Sequence, residues 1–462
     1  MSFTRSLSGF ARACGGRLTG ADGPYTDVVS DSRTLQSGQL FVALRGPHFN
    51  GRDFLPAALA AGAAGAVVDA AQPLALPQIV ADDTQVALTR AARSWRASFR
   101  GPLIGVAGSN GKTTAKEMIA AILSVAGSCL ATRGNLNNHI GVPLTLLRLT
   151  DEHRFAVIEM GANHPGEVTA LVQLARPAVG LITNAGAEHL EGFGSLEGVA
   201  RAEGEMVAGL SASGTAIINA DDEFAALWRS LTPARVVTFG VREPAEFRAS
   251  EVRTALEAGG FRTRFNLESP AGNTAIELSL GGAHNIANAL AAAAAAASAG
   301  ATLAQIAAGL AAMRPVPGRL QAKRALSGAW LIDDSYNANP SSMRAAIEVL
   351  ASLGGRRWLA LADMGELGAF APDAHSELGE FARAAGIERL YATGELMQRA
   401  VASFGAGAQW FPETTALTYA LKGALAAAGP EVRLLLKGSR FNRLERVVDA
   451  LAGTAGATMG GH

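Results

Sequence analysis

The chain has 462 residues, a length typical of about three domains. Its 40 basic and 40 acidic residues balance and form no run of Lys or Arg, which excludes a surface built to hold a nucleic-acid backbone. Two cysteines, Cys14 and Cys129, and no sustained apolar stretch in the first 20 residues predict a protein of the reducing cytoplasm without disulfides.

The first segment, residues 1–82, has the pattern of a small α/β domain. Two short apolar runs, 38–44 and 65–68, are typical of buried strands, and the helix-like stretch 54–61 separates them. A further helix is predicted over residues 84–96, leading into the central part of the chain.

The most specific motif is a phosphate-binding loop. Residues 105–114 read Gly-Val-Ala-Gly-Ser-Asn-Gly-Lys-Thr-Thr, between an apolar run at 102–104 and a helix-like stretch at 115–123. Glycines let backbone N–H groups surround phosphate oxygens, Lys112 adds positive charge, and Thr113 offers a hydroxyl to Mg²⁺. The general pattern has glycine where this chain has Val106, and a glycine-rich turn that only joins strand to helix is the alternative. The motif predicts binding and cleavage of a nucleoside triphosphate.

Two further polar residues follow predicted strands of the central segment. Glu159 comes after the strand at 155–158, and His189 follows the strand at 180–183. These strands alternate with helix-like stretches, which predicts a parallel sheet covered on both faces. Both side chains would then lie at the carboxyl edge beside the loop, where they could bind metal. A lone histidine is more often structural. The prediction of a metal site therefore depends on the phosphate-binding loop beside these two residues.

An alanine-rich stretch precedes the last segment. Residues 283–313 contain no charged residue unless His284 is protonated, and they are long enough to cross a bilayer. Polar residues interrupt the stretch and Gly300 divides it, so we predict two packed helices. Pro315, Pro317 and Gly318 mark a hinge, and the chain then alternates again, with strands predicted at 329–333, 357–361, 389–393 and 432–436.

Five phrases resemble the Mur ligases of peptidoglycan synthesis. They occupy residues 134–144, 183–195 and 333–340, with 363–368 and 436–440 most similar to the members that add D-alanyl-D-alanine. The resemblance implies an α/β protein of three domains: a small N-terminal α/β UDP-binding domain (1–82), a central P-loop ATPase-type parallel sheet (83–313) and a Rossmann-like C-terminal domain (314–462).

The resemblance also implies the reaction, which is an ATP-dependent amide ligation. D-Ala-D-Ala would be joined to UDP-N-acetylmuramoyl-tripeptide through an acyl phosphate, giving the pentapeptide, ADP and phosphate. Two Mg²⁺ ions and Lys112 would neutralise the substrate carboxylate and the γ-phosphate during transfer. We expect a cytoplasmic monomer that neither binds nucleic acid nor inserts into a membrane.

Residue roles follow from the matching motifs. The ATP phosphates would be held by Gly108, Ser109, Asn110, Gly111, Lys112, Thr113 and Thr114. The rest of the nucleotide would be contacted by Asn285, by Arg319 at the phosphates and by Asp334 at the ribose. Metal would be bound by Thr113 and Glu159 at the first ion and by His189 at the second.

Substrate-binding residues are expected in all three domains. The uridine nucleotide would be contacted by Ser30, Asp31, Ser32, Arg33, Arg45 and Gly46, and the UDP-sugar by Asn137 and Asn138. The tripeptide or dipeptide carboxylates would be bound by Lys437, Ser439 and Arg440, and further substrate contacts are expected at Tyr336, Asn337 and Asn339. For each of these residues, an exposed polar loop is the alternative interpretation.

Glu203 departs from the family pattern. Many relatives have at this position a lysine that reacts with CO₂ to give a carbamate. A lysine, with a pKa of about 10.4, would repel Mg²⁺, whereas a glutamate, with a pKa of about 4.3, is already an anion at neutral pH. We predict that Glu203 replaces the carbamate as a catalytic metal ligand, beside Lys112, Glu159 and His189. The alternative is a helix-surface glutamate that has lost the metal role.

Two other functions share the loop. A sister ligase would add a single amino acid to the muramoyl peptide or glutamates to a folate, but folate enzymes lack the first domain. A P-loop switch or motor would hydrolyse ATP without an amine acceptor, and it leaves residues 333–340 unexplained. In the preferred interpretation the hinge at 315–318 rotates on nucleotide binding. The third residue of the accepted tripeptide, lysine or diaminopimelate, stays open.

Overall fold

The computed structural model describes residues 4–187 and 190–453. Its N-terminal domain contains strands β1 (Arg17–Thr19), β2 (Val28–Val29), β3 (Leu40–Val42), β4 (Gly65–Val68) and β5 (Gln78–Val80), and helices α1 (Leu7–Cys14) and α2 (Leu55–Ala60). The sheet order is β1-β5-β4-β3-β2, with β1 antiparallel to β5 and the other neighbours parallel. The two strands and the helix predicted for this segment are confirmed, within a residue or two at their ends.

Helix α3 (Thr84–Arg96) connects this sheet to the central domain and has the predicted bounds. Its first residue is set by Asp83, whose Oδ1 accepts hydrogen bonds from Gln85 N at 2.7 Å and Val86 N at 2.9 Å. An aspartate in this position satisfies two of the N–H groups that a helix start leaves unpaired. The sequence therefore fixes this boundary locally.

The central domain is a parallel six-stranded sheet with helices on both faces. Its strands are β6 (Leu103–Ala107), β7 (Cys129–Ala131), β8 (Phe155–Glu159), β9 (Val179–Ile182), β10 (Thr215–Asn219) and β11 (Arg235–Phe239). They follow the order β11-β10-β9-β6-β8-β7. Its first helices are α4 (Lys112–Ala126), α5 (Gly141–Leu146), α6 (Glu167–Ala175), α7 (Leu190–Phe193), α8 (Leu196–Ala208) and α9 (Ala225–Leu231).

A three-stranded antiparallel sheet was missed by the sequence analysis. It consists of β12 (Arg248–Glu257), β13 (Gly260–Ser269) and β14 (Gly272–Leu278). One face is apolar, with Phe265 and Ile276 buried, while the other carries cross-strand ion pairs such as Arg262–Glu277 at 2.6 Å. The alternation of apolar and charged residues along β13 is the signal that could have revealed it.

The alanine-rich stretch forms two helices, α10 (Ala283–Ser298) and α11 (Leu303–Ala312), as predicted. The run from 289 to 296 is almost wholly buried, and both helices contact α4. Alanine side chains permit this close packing because they add little width to a helix. In the two described ranges, none of the helices is long and apolar enough to span a bilayer.

The C-terminal domain has its own six-stranded sheet in the order β15-β16-β20-β17-β18-β19, with β15 antiparallel. The strands are β15 (Gln321–Arg324), β16 (Trp330–Asp334), β17 (Arg356–Ala362), β18 (Arg389–Thr393), β19 (Ala408–Phe411) and β20 (Val432–Lys437). The helices are α12 (Pro340–Ala351), α13 (Ala371–Ala384), α14 (Met397–Phe404), α15 (Thr414–Ala428) and α16 (Glu445–Ala452). Short 3-10 helices in the chain span Gly51–Phe54, Gly368–Phe370, Gly429–Glu431 and Arg440–Asn442.

Apolar packing joins the first two domains more closely than the last. One buried cluster contains Leu7 and Phe10 of the N-terminal domain together with Leu146 and Ile158 of the central domain. The two faces of the C-terminal sheet carry separate clusters. The domain limits 1–82, 83–313 and 314–462 stay predictions.

Candidate active site

The phosphate-binding loop lies between the end of β6 and the first residue of α4, Lys112. Gly108 (φ +118°) and Gly111 (φ +84°) adopt left-handed backbone conformations. A Cβ at Gly108 would overlap Thr183 Oγ1, and one at Gly111 would overlap the Asn288 side chain. Glycine is therefore required at both positions, and the loop presents backbone N–H groups at a helix N-terminus, where an anion is stabilised.

The segment after β9 holds this loop in shape. Ser109 N donates to Asn184 O at 2.9 Å, and Asn110 N donates to Asn184 Oδ1 at 3.0 Å. Thr183 Oγ1 donates to Asn110 O at 2.7 Å. Within the loop, Lys112 Nζ donates to Ser109 O at 3.0 Å. Sequence reasoning did not assign Asn184 to the site, although it stands in the phrase 183–195.

Glu159 ends β8 and is buried beside the loop. Its Oε1 accepts hydrogen bonds from Thr113 Oγ1 at 3.3 Å and Asn137 Nδ2 at 2.9 Å. Its Oε2 is buried, with no donor within reach in the described part of the chain. A buried carboxylate oxygen without a partner, next to a hydroxyl, fits a hard cation such as Mg²⁺.

The other two predicted metal ligands are His189 and Glu203. His189 lies outside the described residues. Glu203, on α8, is buried, and its Oε2 accepts a hydrogen bond from Gly108 N at 2.6 Å. Within 4–187 and 190–453, no group of three His, Cys, Asp or Glu side chains is gathered tightly enough to hold a metal ion.

Two asparagines on one face of α10 approach the loop. Asn285 Nδ2 donates to Gly281 O at 2.8 Å, and Asn288 Nδ2 donates to Asn285 Oδ1 at 3.3 Å. Both are buried. Asn288 is the residue next to Gly111, and its spacing of three from Asn285 on a helix is the signal that the sequence analysis did not use.

The C-terminal domain contributes a buried ion pair. Asp334 lies at the end of β16. Its Oδ2 accepts a hydrogen bond from Lys437 Nζ at 2.6 Å, and its Oδ1 accepts one from Leu320 N at 3.1 Å. Lys437 also donates to Asn337 O at 2.9 Å. Lys437 thus binds its own domain, and its predicted contact with a substrate carboxylate stays a prediction.

His284, at the start of α10, faces this ion pair from the central domain. Burial lowers the pKa of His284 to about 4, while the nearby Asp334 acts to raise it and Lys437 to lower it. The imidazole is therefore neutral at pH 7. Sequence reasoning noted this histidine without giving it a place in the site.

Two guanidinium groups lie over the ring of Tyr336. The Arg319 Cζ atom lies 4.3 Å from the ring centroid, and the Arg440 Cζ atom lies 5.6 Å from it. Arg319 Nε is buried and has no hydrogen-bond partner in the part of the chain that the structure describes. Cations stacked on an aromatic face keep their hydrogen-bonding edges for an anion.

The P-loop meets the C-terminal domain at the start of α12. Asn339 Nδ2 donates to Asn110 Oδ1 at 2.8 Å, and Asn110 Nδ2 donates to Ser341 Oγ at 3.0 Å. Asn339 Oδ1 also accepts from Ser342 N at 2.8 Å and so caps the helix. The two domains are therefore in contact at the predicted ATP site, and rotation about the hinge stays a prediction.

The remaining predicted substrate residues lie on loops. Asn138 Oδ1 accepts from Gly141 N at 3.0 Å at the start of α5, and Ser439 Oγ accepts from Gly365 N at 2.9 Å. Both side chains support backbone turns. Asn337 is exposed. Thr114, which is predicted at the ATP phosphates, is buried in α4.

The predicted uridine-binding residues lie on the N-terminal domain, where Arg33 and Arg45 are exposed. Arg33 Nη2 donates to Asp31 Oδ2 at 2.7 Å, and hydrogen bonds from Arg33 hold the pKa of Asp31 below its usual value. Arg45 Nη2 lies 3.5 Å from Asp69 Oδ2, and Arg52 Nε lies 3.1 Å from Asp69 Oδ1. Ser30, Ser32 and Gly46 are half-buried beside these pairs.

Three family models match consecutive parts of the chain. The Mur ligase family, catalytic domain matches residues 24–96, the Mur ligase middle domain residues 106–296, and the Mur ligase, glutamate ligase domain residues 318–440. The chain is 45% identical, over 96% of its length, to the UDP-N-acetylmuramoyl-tripeptide--D-alanyl-D-alanine ligase of Escherichia coli strain K12, of which the match covers 98%.

The chain belongs to the Mur ligase family. It is also 35% identical to the Bacillus subtilis strain 168 ligase of the same name, over 92% of each chain. Among solved structures, MurF from Acinetobacter baumannii matches with a TM-score of 0.90 and 32% identity, covering 97% of this chain and 99% of that one. MurF ligase from Thermotoga maritima in complex with ADP matches with a TM-score of 0.79 and 25% identity, covering 92% and 97%.

Membership accounts for the three-domain α/β architecture and for ATP use by this Mur ligase. A protein with this fold has been crystallised with ADP, which agrees with a P-loop whose glycines leave no room for side chains. The sequence-based prediction of the family is therefore confirmed. The roles of individual residues stay predictions.

Proposed function

We propose that this Mur ligase joins D-alanyl-D-alanine to UDP-N-acetylmuramoyl-tripeptide with cleavage of ATP to ADP and phosphate. The observation that carries the proposal is the pairing of Thr113 with Glu159 at 3.3 Å, beside a P-loop that touches the C-terminal domain. Relatives that match this chain nearly end to end bear the name of that reaction.

The first step is transfer of the γ-phosphoryl group. An oxygen of the substrate carboxylate attacks the γ-phosphorus, and the bond from that phosphorus to the β-phosphate oxygen breaks. ADP is the leaving group, and the acyl phosphate is the product that enters the second step. Both reactants are anions, so positive charge and positioning supply most of the catalysis. The loop N–H groups and Lys112 Nζ bind the phosphates, and Arg319 offers a guanidinium edge from the hinge.

Mg²⁺ would be held at Thr113 and Glu159, where a buried carboxylate oxygen has no donor among the described residues. When bound, the ion neutralises charge on the phosphates during transfer. A second ion at His189 and Glu203 remains part of the proposal. Glu203 supports it with a carboxylate that already hydrogen-bonds the loop at Gly108.

The second step is attack of the D-Ala-D-Ala amine on the acyl carbon. A C–N bond forms, the tetrahedral intermediate expels phosphate, and the amine proton passes to solvent or to phosphate. Carboxylate recognition would fall to guanidinium groups, which bind carboxylates in bidentate fashion. Arg440, exposed and next to the Tyr336 ring, is the best-placed residue for this role.

Binding of the UDP-sugar would use the predicted uridine-binding residues of the N-terminal domain. Arg33 and Arg45 are cationic side chains with surface ion pairs that a nucleotide can replace. Asn137, the proposed contact for the UDP-sugar, donates its Nδ2 to the proposed metal ligand Glu159. The proposal includes a cytoplasmic location and a monomeric enzyme.

The test is phosphate release from ATP and Mg²⁺ with UDP-N-acetylmuramoyl-tripeptide, comparing D-Ala-D-Ala, single amino acids and no acceptor, with the product mass measured. Release that requires D-Ala-D-Ala and yields the pentapeptide is expected. Release with a single amino acid would move the protein to a sister ligase. Equal release without acceptor would contradict ligation and favour a P-loop switch.

A further inference from the structure

Lys116 is a buried lysine that the proposed reaction does not use. It lies one turn after Lys112 on α4, and its side chain has no exposed surface. Lysine is rarely buried without partners, because its ammonium group loses hydration that protein groups must replace. A charged group kept in the interior beside the P-loop therefore indicates a specific task.

Its contacts lead to the metal ligand Glu159. Lys116 Nζ donates to Thr132 O at 2.8 Å and to Glu117 Oε1 at 2.6 Å. Thr132 is buried directly after β7, and its Oγ1 accepts a hydrogen bond from Glu159 N at 3.0 Å. One threonine thus joins the ammonium group to the backbone of Glu159.

The same threonine begins the loop that returns to the Glu159 side chain. Asn137, five residues further along, donates its Nδ2 to Glu159 Oε1 at 2.9 Å. Asn137 O accepts from Gly161 N at 2.8 Å, just beyond β8. The backbone and the carboxylate of Glu159 are therefore both held by the segment that Lys116 anchors.

We propose that Lys116 is a positioning residue that sets the distance between the two Mg²⁺-binding side chains. Thr113 belongs to α4 and Glu159 to β8, so their contact at 3.3 Å depends on the packing of helix against sheet. Lys116 fixes that packing by tying α4 to the end of β7, which pairs with β8. The proposal rests on the proposed function, in which Thr113 and Glu159 bind the ion.

A purely structural role is the competing interpretation. The carboxylate of Glu117 is 41% exposed, so its pair with Lys116 could serve only to hold the helix surface. Stability measurements alone do not separate the two roles. The ratio of ADP affinities with and without Mg²⁺ does, because a loss of packing elsewhere leaves that ratio unchanged.

The experiment is calorimetric titration of the full-length protein with ADP, once with Mg²⁺ and once with EDTA. The test variants are Lys116→Met, which keeps the length of the side chain, and Thr132→Val, which removes the acceptor for Glu159 N. The controls are Lys422→Met, an exposed lysine on α15, and Thr263→Val, a buried threonine of β13 whose hydroxyl donates to Leu280 O.

We expect both test variants to lose about tenfold or more of the Mg²⁺-dependent gain in ADP affinity, with the affinity in EDTA unchanged. Both controls should keep the wild-type ratio. A lower melting temperature with an unchanged ratio in both variants would overturn the proposal. If Lys116→Met does not fold, Lys116→Gln, whose shorter side chain removes the ammonium group but keeps an N–H donor, takes its place in the same comparison. A wild-type protein that binds ADP equally well in EDTA would overturn the assignment of metal to Glu159 as well.

Discussion

The proposed nucleotide side and the proposed uridine side of this enzyme place their charges in opposite environments. Around the P-loop, Glu159 and Glu203 are buried and hydrogen-bonded to neighbouring segments, and in the C-terminal domain Lys437 is buried and bonded to Asp334. On the N-terminal domain, Arg33 and Arg45 are exposed and form surface ion pairs.

This difference has energetic consequences. Exposed ion pairs typically contribute about 0–1 kcal/mol, because water and salt screen them. Breaking a buried pair leaves a charge without compensation and has an effect several times larger. The nucleotide side is therefore shaped before its ligand arrives, whereas the uridine side can rearrange around the substrate. Substitutions on the two sides should differ in the size of their effect and in the kinetic constant that they change.

The largest effect is expected for Lys112→Met. The substitution removes a positive charge that, in the proposed mechanism, stabilises the transferring phosphoryl group, and donors of this kind are worth about 10²- to 10³-fold in kcat. Phosphate release at saturating substrates would measure it, with Lys422→Met as the control lysine. A loss of kcat no larger than that of the control would show that the loop lysine does not act on the transition state.

The next largest effect concerns Glu203. Wild-type activity should be the same with and without bicarbonate, since a carboxylate is already present. Glu203→Lys should be about 10- to 100-fold slower, because a cation then faces the loop, and bicarbonate should restore part of the loss by forming a carbamate.

The control for this response is Glu197→Lys, on the same helix but exposed and paired with Arg201. Its activity should show no response to bicarbonate. A wild-type enzyme that loses activity on CO₂ removal and regains it with bicarbonate would contradict the replacement.

A smaller effect is expected on stability at the junction of the central and C-terminal domains. The pKa of His284 is lowered to about 4 by burial, whereas an unfolded histidine titrates near 6.5. Between these values only the unfolded state binds the proton. The contribution is therefore fully present above about pH 6.5 and is lost as the pH falls toward 4.

Scanning calorimetry of wild type and His284→Gln between these pH values would measure the difference. The melting temperature of the variant should fall less steeply with acid, and His164→Gln, an exposed histidine, should follow the wild type. Parallel curves for His284→Gln and wild type would show that this histidine titrates normally.

The sequence could predict the features that neighbouring residues encode, but not those that depend on how distant segments pack. The P-loop is encoded locally, by glycines at φ values that other residues avoid and by the helix that follows, so its shape followed from the motif. The antiparallel sheet β12–β14 was missed, because charged side chains such as Arg262, Arg264 and Glu277 line its solvent-facing side and interrupt the apolar pattern. The bond from Asn339 to Asn110 joins residues 229 apart, and its geometry depends on how two domains pack.

The smallest effect is expected on the uridine side, for Arg33→Met. Its ion pair with Asp31 is exposed and screened by water, so stability should change little. If Arg33 binds the uridine nucleotide, KM for the UDP-substrate should rise about tenfold with kcat unchanged, because a contact equal in ground and transition states affects binding alone. The matched control is Arg201→Met, whose ion pair with Glu197 has the same 2.7 Å distance on the central domain. A fall in kcat at unchanged KM would mean that the two sides of the enzyme are coupled during the reaction, and that the exposed side is not an independent binding surface.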